Sequence, residues 1–407
     1  MTPQSRWLSI IGVGEDGLDG LSPAARRLIA QASLVVGGAR HLKLAGLAGD
    51  KTLTWPSPID DAMPVVLARR GEPVCVLASG DPFFFGVGSL LMRHISPEEM
   101  ICLPAPSAFS LAAARLGWSL QDCVTLSLHG RALEAVIPHL QPRARLLALS
   151  WDGSTPGKLA QLLVARGMGR SKLIVCEAMG GAKERLRSAL AKDFALDDIA
   201  GLNTIAFEVV AEAGARVLPR ASGLPDSLFE HDGQITKREI RAMTLAALAP
   251  RRGELLWDVG AGSGSVAIEW MLCDPANRAI AIERHPERAA RIARNAAALG
   301  VPGLQIVEGH APQALANLPR PDAIFVGGGA SAEGLLDHLF NALAPGGRLV
   351  ANAVTLEGHA ELIRQFERRG GDLVQANIAR ADSLGRFHGW RPAMPVVQWR
   401  WEKPWPE

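Results

Sequence analysis

The chain predicts an α/β fold in two domains, and three observations carry the prediction. Short apolar runs alternate with helical patterns along most of its length. The run Leu255–Asp258 passes into Gly260-Ala261-Gly262-Ser263-Gly264 and then into an apolar helical stretch, a strand–loop–helix. Between Ala211 and Leu228 the alternation lapses, punctuated by Gly214, Pro219, Gly223 and Pro225, and then restarts. We place domains at 1–212 and 228–407 with a linker at 213–227; a long internal loop would read the same way.

The first half opens on a strand, Trp7–Val13, which ends in Gly12-Val13-Gly14. Ser22-Pro23 is an N-cap followed by proline at the first helical position, opening a helix to Ala30. Leu34–Val36 is a second strand closed by Gly37-Gly38, and Val74–Ala78 a third, followed by Ser79-Gly80-Asp81-Pro82. A helix spans Ser107–Leu116, entered through Pro104 and Pro106. Leu146–Ser150, Leu173–Cys176 and Thr204–Val210 complete the strands of this half. The second half restarts with a helix over Ile235–Ala249. Strands follow at Leu255–Asp258, Ala279–Glu283, Leu304–Glu308, Ala323–Val326 and Arg348–Ala351. Val374–Ile378 and Val396–Trp401 form a closing antiparallel pair.

Composition narrows the classes. With 48% hydrophobic and 21% charged residues, the chain matches ordinary globular proteins. A net charge of +2 gives no field for nucleic acid or a membrane surface. The five cysteines form no CxxC pair, which disfavours a zinc site or a disulfide framework and fits a reducing cytoplasm. No apolar run approaches the ~18 residues of a membrane span, and Met1–Arg6 does not read as a signal peptide.

Glycines let a backbone turn tightly and approach a ligand closely, and a helix start offers it free N–H groups. Gly260, Gly262 and Gly264, led by Asp258, therefore read as a nucleotide loop of a Rossmann-like domain. A nicotinamide dinucleotide would fit such a loop. The acid at its head favours a cation instead, and S-adenosylmethionine (SAM) carries a sulfonium and an ammonium. Glu283, at the next strand end, can accept from ribose hydroxyls. Gly309-His310-Ala311-Pro312 follows the third strand, and Ala344-Pro345-Gly346-Gly347-Arg348 forms a turn before the fifth. Val326-Gly327-Gly328-Gly329 leaves room for a large flat substrate. The pattern resembles the class I SAM methyltransferases.

In the first half, Gly12-Val13-Gly14-Glu15-Asp16-Gly17, Ser79-Gly80-Asp81-Pro82-Phe83-Phe84-Phe85-Gly86 and Pro104-Ala105-Pro106-Ser107-Ala108 occur in this order. With Leu21-Ser22-Pro23 and Ala32-Ser33-Leu34-Val35-Val36-Gly37, they resemble the tetrapyrrole methylases, the class III SAM methyltransferases. Glu15-Asp16 stands where that family usually has Pro-Gly, which changes the charge at the substrate mouth.

The two domains in this order resemble a family of bifunctional tetrapyrrole methyltransferases of cobalamin biosynthesis. The stretch Gly223-Leu224-Pro225-Asp226-Ser227-Leu228-Phe229-Glu230-His231-Asp232-Gly233-Gln234-Ile235-Thr236-Lys237-Arg238-Glu239-Ile240-Arg241 is its most specific signal. The resemblance implies a tetrapyrrole methylase-type α/β domain followed by a Rossmann-like class I domain. It implies methylation of a reduced tetrapyrrole at two meso carbons, 5 and 15, with loss of carbon dioxide from the ring C acetate. It implies SAM at two sites per chain, held by Gly12, Gly14, Asp81, Phe84, Ser107 and Ala108 in the first domain. In the second, it implies Thr236, Asp258, Gly260, Ala261, Gly262, Ser263, Gly264, Glu283, His310 and Ala311. Thr236 with Glu239 also reads as a capping box. The substrate's carboxylates call for arginines, with Arg348, Arg380, Arg386 and Arg391 as candidates at the expected mouth. Glu269, His310 and His388 are candidates for proton handling. A homo-oligomer in the cytoplasm, without metal, nucleic acid or membrane, completes the expectation. A tandem methyltransferase on another flat substrate, a chain with one non-catalytic binding domain, and an oxidoreductase remain alternatives.

Overall fold

A computed structural model describes residues 6–406. The chain forms two compact units: one runs up to Val217 without Glu134–Pro138, and the other comprises that segment and the chain from Leu218.

The first unit contains β1 (Leu8–Val13), β2 (Leu34–Gly37), β3 (Thr52–Thr54), β4 (Val74–Ser79) and β5 (Met100–Leu103). They form a parallel sheet in the order β3-β2-β4-β1-β5. Every side chain of β1 is buried, as befits a central parallel strand covered on both faces. Leu8, Ile10, Val36, Val76 and Leu91 pack on one side of this sheet, and Ile11, Val13, Val35, Cys75 and Leu77 on the other. The helix Pro23–Gln31 starts as the sequence requires, with the Ser22 side chain accepting from Ala25 N. A second sheet holds β6 (Cys123–Ser127), β7 (Arg145–Leu149), β8 (Lys172–Glu177), β9 (Arg185–Leu190) and β10 (Asn203–Glu208), ordered β6-β7-β10-β8-β9. The helix Ala108–Leu116 lies between the two sheets in sequence, capped at its start by Ser107.

The second unit contains β11 (Leu255–Val259), β12 (Arg278–Glu283), β13 (Gln305–Glu308), β14 (Ala323–Val326) and β15 (Arg348–Ala353). They are parallel and continue into the antiparallel strands β16 (Asp372–Ala376) and β19 (Val396–Glu402), in the order β13-β12-β11-β14-β15-β19-β16. The expected closing pair is therefore present, with β19 inserted between β15 and β16. Strand order reverses at β11, and open α/β sheets bind ligands outside the carboxyl ends at such a point. The fully buried Trp399 and Phe325 anchor the sheet's packing. A separate hairpin, β17 (Ala379–Leu384) with β18 (Phe387–Pro392), was not expected from the sequence. No helix among the described residues is long and apolar enough to cross a membrane.

Candidate functional site

In the second unit, the loop after β11 is built as the glycine spacing requires. Gly260, Gly262 and Gly264 all have positive φ, at 74°, 61° and 75°. A Cβ on Gly264 would also meet Ile292 Cγ2 at 2.7 Å, so this corner has no room for a side chain. Gly264 occupies the N-cap of the helix Ser265–Cys273 and brings no capping oxygen. Asp258 supplies one from the strand beneath: its Oδ2 accepts from Ala267 N at 3.0 Å. Asp258 is 1% exposed and its Oδ1 has no partner. Burial, with a smaller contribution from the Glu283 charge, pushes its pKa up to about 7. Asp258 thus lies under the loop, buried, with one carboxylate oxygen spent on the helix start.

Glu283 is 4% exposed and holds the same loop from the next strand. It accepts from Gly262 N at 2.9 Å and from His285 N at 3.0 Å. Each oxygen keeps a second lone pair for a hydroxyl donor. Gly309 N donates to Glu283 O at 3.0 Å, which brings the turn with exposed His310 and half-buried Ala311 beside the loop. Ser263 is buried with an unpartnered Oγ.

A strap, residues 223–236, crosses beside this loop and is clamped at two places. Glu269 is buried and accepts from Gly223 N (2.7 Å), Leu224 N (2.9 Å) and Arg241 Nε (2.5 Å). Arg241, fully buried, also donates to Asp226 Oδ1 at 3.2 Å, Thr236 O at 2.5 Å and Leu224 O. Asn295 Oδ1 accepts from Glu230 N at 2.8 Å, while its Nδ2 donates to Glu230 O (3.0 Å) and Ser263 O (2.9 Å). A hydrogen bond from Arg288 and the ion pair with Arg291 hold the Asp232 carboxyl well below the usual range and tie the strap further.

Three expectations need correction. Glu269 cannot handle protons at the site, because its carboxylate is wholly engaged by Arg241 and two backbone amides. Arg348 does not stand at a mouth. It starts β15, is fully buried, and binds Glu254 (2.5 and 2.7 Å) and the carbonyls of Leu248 and Ala249. The helix after Thr236 begins at Arg238 with Lys237 at its cap, so no capping box forms. Arg380, Arg386, His388 and Arg391 lie exposed on the β17–β18 hairpin or its turn. Arg380 pairs with Glu239, Arg391 with Asp382 at 2.9 Å, and Arg386 lies over Phe387.

In the first unit, three loops meet at the carboxyl end of β1. A Cβ on Gly12 would lie 1.9 Å from Gly80 O and 2.5 Å from Ala105 N. Ala105 N donates to Gly80 O at 3.0 Å, so the segments carrying Gly12, Gly80-Asp81 and Ala105–Ser107 are in contact. Gly14 lies in the same loop, beside Asp16. Asp81 Oδ1 accepts from Phe83 N at 2.9 Å. Phe84 packs on Phe85 and Phe109 with ring centroids 5.1 and 5.0 Å away. Ser107 caps its helix through Ser110 N at 3.1 Å, leaving Ala108 half-buried at the helix start.

Sequence reasoning placed Arg241 and Ser79 in quoted stretches without a role of their own, and passed over Asn295 and the polar group that Ser79 forms with Arg40 and His41. Asn295 left one signal: it shares the buried face of its helix with Ala289, Ile292 and Ala296. A lone amide on an apolar face needs partners.

Residues 8–195 match the tetrapyrrole (corrin/porphyrin) methylases, and residues 227–403 match the precorrin methyltransferase domain. A relative from Sinorhizobium sp. is 58% identical over 98% of this chain and 97% of its own, and is named precorrin-6Y C(5,15)-methyltransferase [decarboxylating]. Two relatives from Salmonella typhimurium (strain LT2) cover about half of the chain each. One, a cobalt-precorrin-7 C(5)-methyltransferase, is 31% identical over 47% of this chain and 96% of its own. The other, a cobalt-precorrin-6B C(15)-methyltransferase (decarboxylating), is 33% identical over 42% and 92%.

Proposed function

The chain belongs to the family of decarboxylating precorrin-6Y C(5,15)-methyltransferases, and we propose that it divides this activity between two SAM sites, one in each unit. The family methylates a cobalamin precursor from SAM and releases carbon dioxide. The supporting observation is the whole-length relationship at 58% identity, on a chain with a glycine-built loop at strand carboxyl ends in each unit.

A division of labour follows from the two half-length relatives. C15 methylation and decarboxylation go together in one, and C5 methylation stands alone in the other. We assign decarboxylation and C15 to the second unit and C5 to the first. The meso carbon of a reduced tetrapyrrole is enamine-like, and a sulfonium methyl is already activated. Carbon attacks the methyl, and the C–S electron pair leaves with sulfur as S-adenosylhomocysteine. Catalysis then rests on alignment, water exclusion and charge stabilisation. In the second unit, the loop of Gly260–Gly264, held by Asp258 and Glu283, positions the donor, with Thr236 and the 309–311 turn beside it. In the first, Gly12, Gly14, Asp81, Phe84, Ser107 and Ala108 do so.

Decarboxylation needs an electron sink, which a protonated imine of the macrocycle supplies. His310, exposed beside the loop, is the proposed proton donor, and Arg380, Arg386 and Arg391, with His388, are proposed to meet the substrate. Homo-oligomerisation and a cytoplasmic location belong to the same proposal. The free thiols of Cys75, Cys102, Cys123, Cys176 and Cys273 fit a reducing compartment.

Incubation with precorrin-6Y and methyl-labelled SAM tests the reading. Two labelled methyl groups and one carbon dioxide per substrate are expected. Product lacking both, from well-folded protein, would sink it.

A further inference from the structure

Four polar side chains meet at one point of the first unit, outside the residues assigned to its donor site. Glu15 follows β1, Arg40 and His41 open the helix Ala39–Leu44 after β2, and Ser79 ends β4. β2, β4 and β1 are neighbours in one parallel sheet, so their carboxyl ends lie side by side. Ser79 Oγ stands 2.7 Å from both Arg40 Nη2 and His41 Nε2, and those two nitrogens are 2.8 Å apart. Arg40 Nη1 pairs with a Glu15 carboxylate oxygen.

The chemistry fixes the roles. A guanidinium only donates, so His41 Nε2 accepts, and the imidazole is neutral with its proton on the buried Nδ1. Burial, helped by the Arg40 charge, pushes the His41 pKa down to about 4, so the ring stays uncharged at neutral pH. His41 and Ser79 therefore lock one edge of the guanidinium, and the other edge faces a carboxylate. Arg40 and Glu15 keep 37% and 20% of their side-chain exposure, so a ligand can reach the pair.

We infer that Arg40 is the clamp for a carboxylate of the tetrapyrrole in the first unit, and that Glu15 is the resident carboxylate which the substrate displaces. The inference rests on the tetrapyrrole reading. Open parallel sheets take ligands at these strand ends. Ser79 adjoins Gly80-Asp81, so the clamp stands beside the donor loops. A part-exposed ion pair contributes little net stability, so exchanging one carboxylate for another is nearly neutral. Guanidinium–carboxylate pairing also fixes orientation, which holding a meso carbon in line with a methyl requires.

Steady-state kinetics on the full chain test the clamp, with first-unit methylation followed by product analysis and carbon dioxide release as the internal control. Arg40→Gln is expected to raise the KM for the tetrapyrrole in first-unit methylation roughly tenfold or more. The KM for SAM and carbon dioxide release stay unchanged. Glu15→Gln lowers that KM or leaves it, and the reversed pair Glu15→Arg/Arg40→Glu does not restore activity. Equal losses in the two single variants, cured by the reversed pair, would show a purely structural ion pair and overturn the inference. An unchanged KM in Arg40→Gln would do the same. Fluorescence titration with uroporphyrin III, a polycarboxylated tetrapyrrole, needs no turnover. Weakened binding in Arg40→Gln but not in Glu15→Gln supports the clamp even if precorrin-6Y is not converted. Unchanged binding in Arg40→Gln sinks it.

Discussion

Asp258 shows how one residue can serve both a helix start and the glycine loop before it at a cost to stability. Its carboxyl caps Ala267 N from below, while burial lifts its pKa to about 7. An unfolded aspartate titrates near 3.9. The folded state therefore binds this proton more tightly than the unfolded state. By linkage, stability falls as pH rises from ~4 to ~7, and the deficit is complete above that window. The gap between the two pKa values bounds this deficit at about 4 kcal/mol. Asp258→Asn cannot ionise, so its urea-unfolding free energy should lack this decline. Wild type minus variant, measured between pH 4.5 and 8, should drop by up to this amount; parallel curves would refute the assignment. The turn of the glycine loop over Asp258 and Glu283 was legible because glycine spacing dictates its backbone. The depth of Glu269 and Arg348 was not. Both are charged residues in segments where sequence alone cannot tell a solvated head from one paired inside.

At the scale of elements, the Asn295 amide joins the strap to the glycine loop. Asn295 makes three hydrogen bonds, two to Glu230 and one to Ser263 O. At about 0.5–1.5 kcal/mol net for each bond, Asn295→Ala should cost roughly 2–4 kcal/mol in the second unit. It should also weaken S-adenosylhomocysteine binding there while the first unit's site is unaffected. Calorimetry and a denaturant titration check both, and unchanged affinity would separate the strap from the site. The parallel strands were readable because burial on both faces makes them continuous apolar runs, as in Val74–Ala78 and Ala323–Val326. Arg185–Leu190 escaped notice as an edge strand with no buried side chain and two arginines. The β17–β18 hairpin escaped for the same reason: it buries neither face, so no alternation marks it. Thr52–Thr54 is too short to show a period.

At the scale of the whole molecule, one chain is proposed to carry two independent methyl-donor sites. Each is built around a position that tolerates no ordinary change. Gly12 sits where any Cβ would lie 1.9 Å from Gly80 O, so Gly12→Ala must push the first unit's loops apart. Asp258→Ala removes the oxygen that caps Ala267 and supports the second loop. The two residues belong to different compact units, and substitutions that share no partners act additively. Titration of the full chain with S-adenosylhomocysteine should therefore give two equivalents per chain. Gly12→Ala should remove one, Asp258→Ala the other, and the double variant both. Carbon dioxide release should follow the Asp258 site and survive in Gly12→Ala, because decarboxylation is assigned to the second unit. A wild-type stoichiometry of one would make one unit a binding module. Loss of carbon dioxide release in Gly12→Ala, with the second equivalent still bound, would show that decarboxylation waits on the first unit's product.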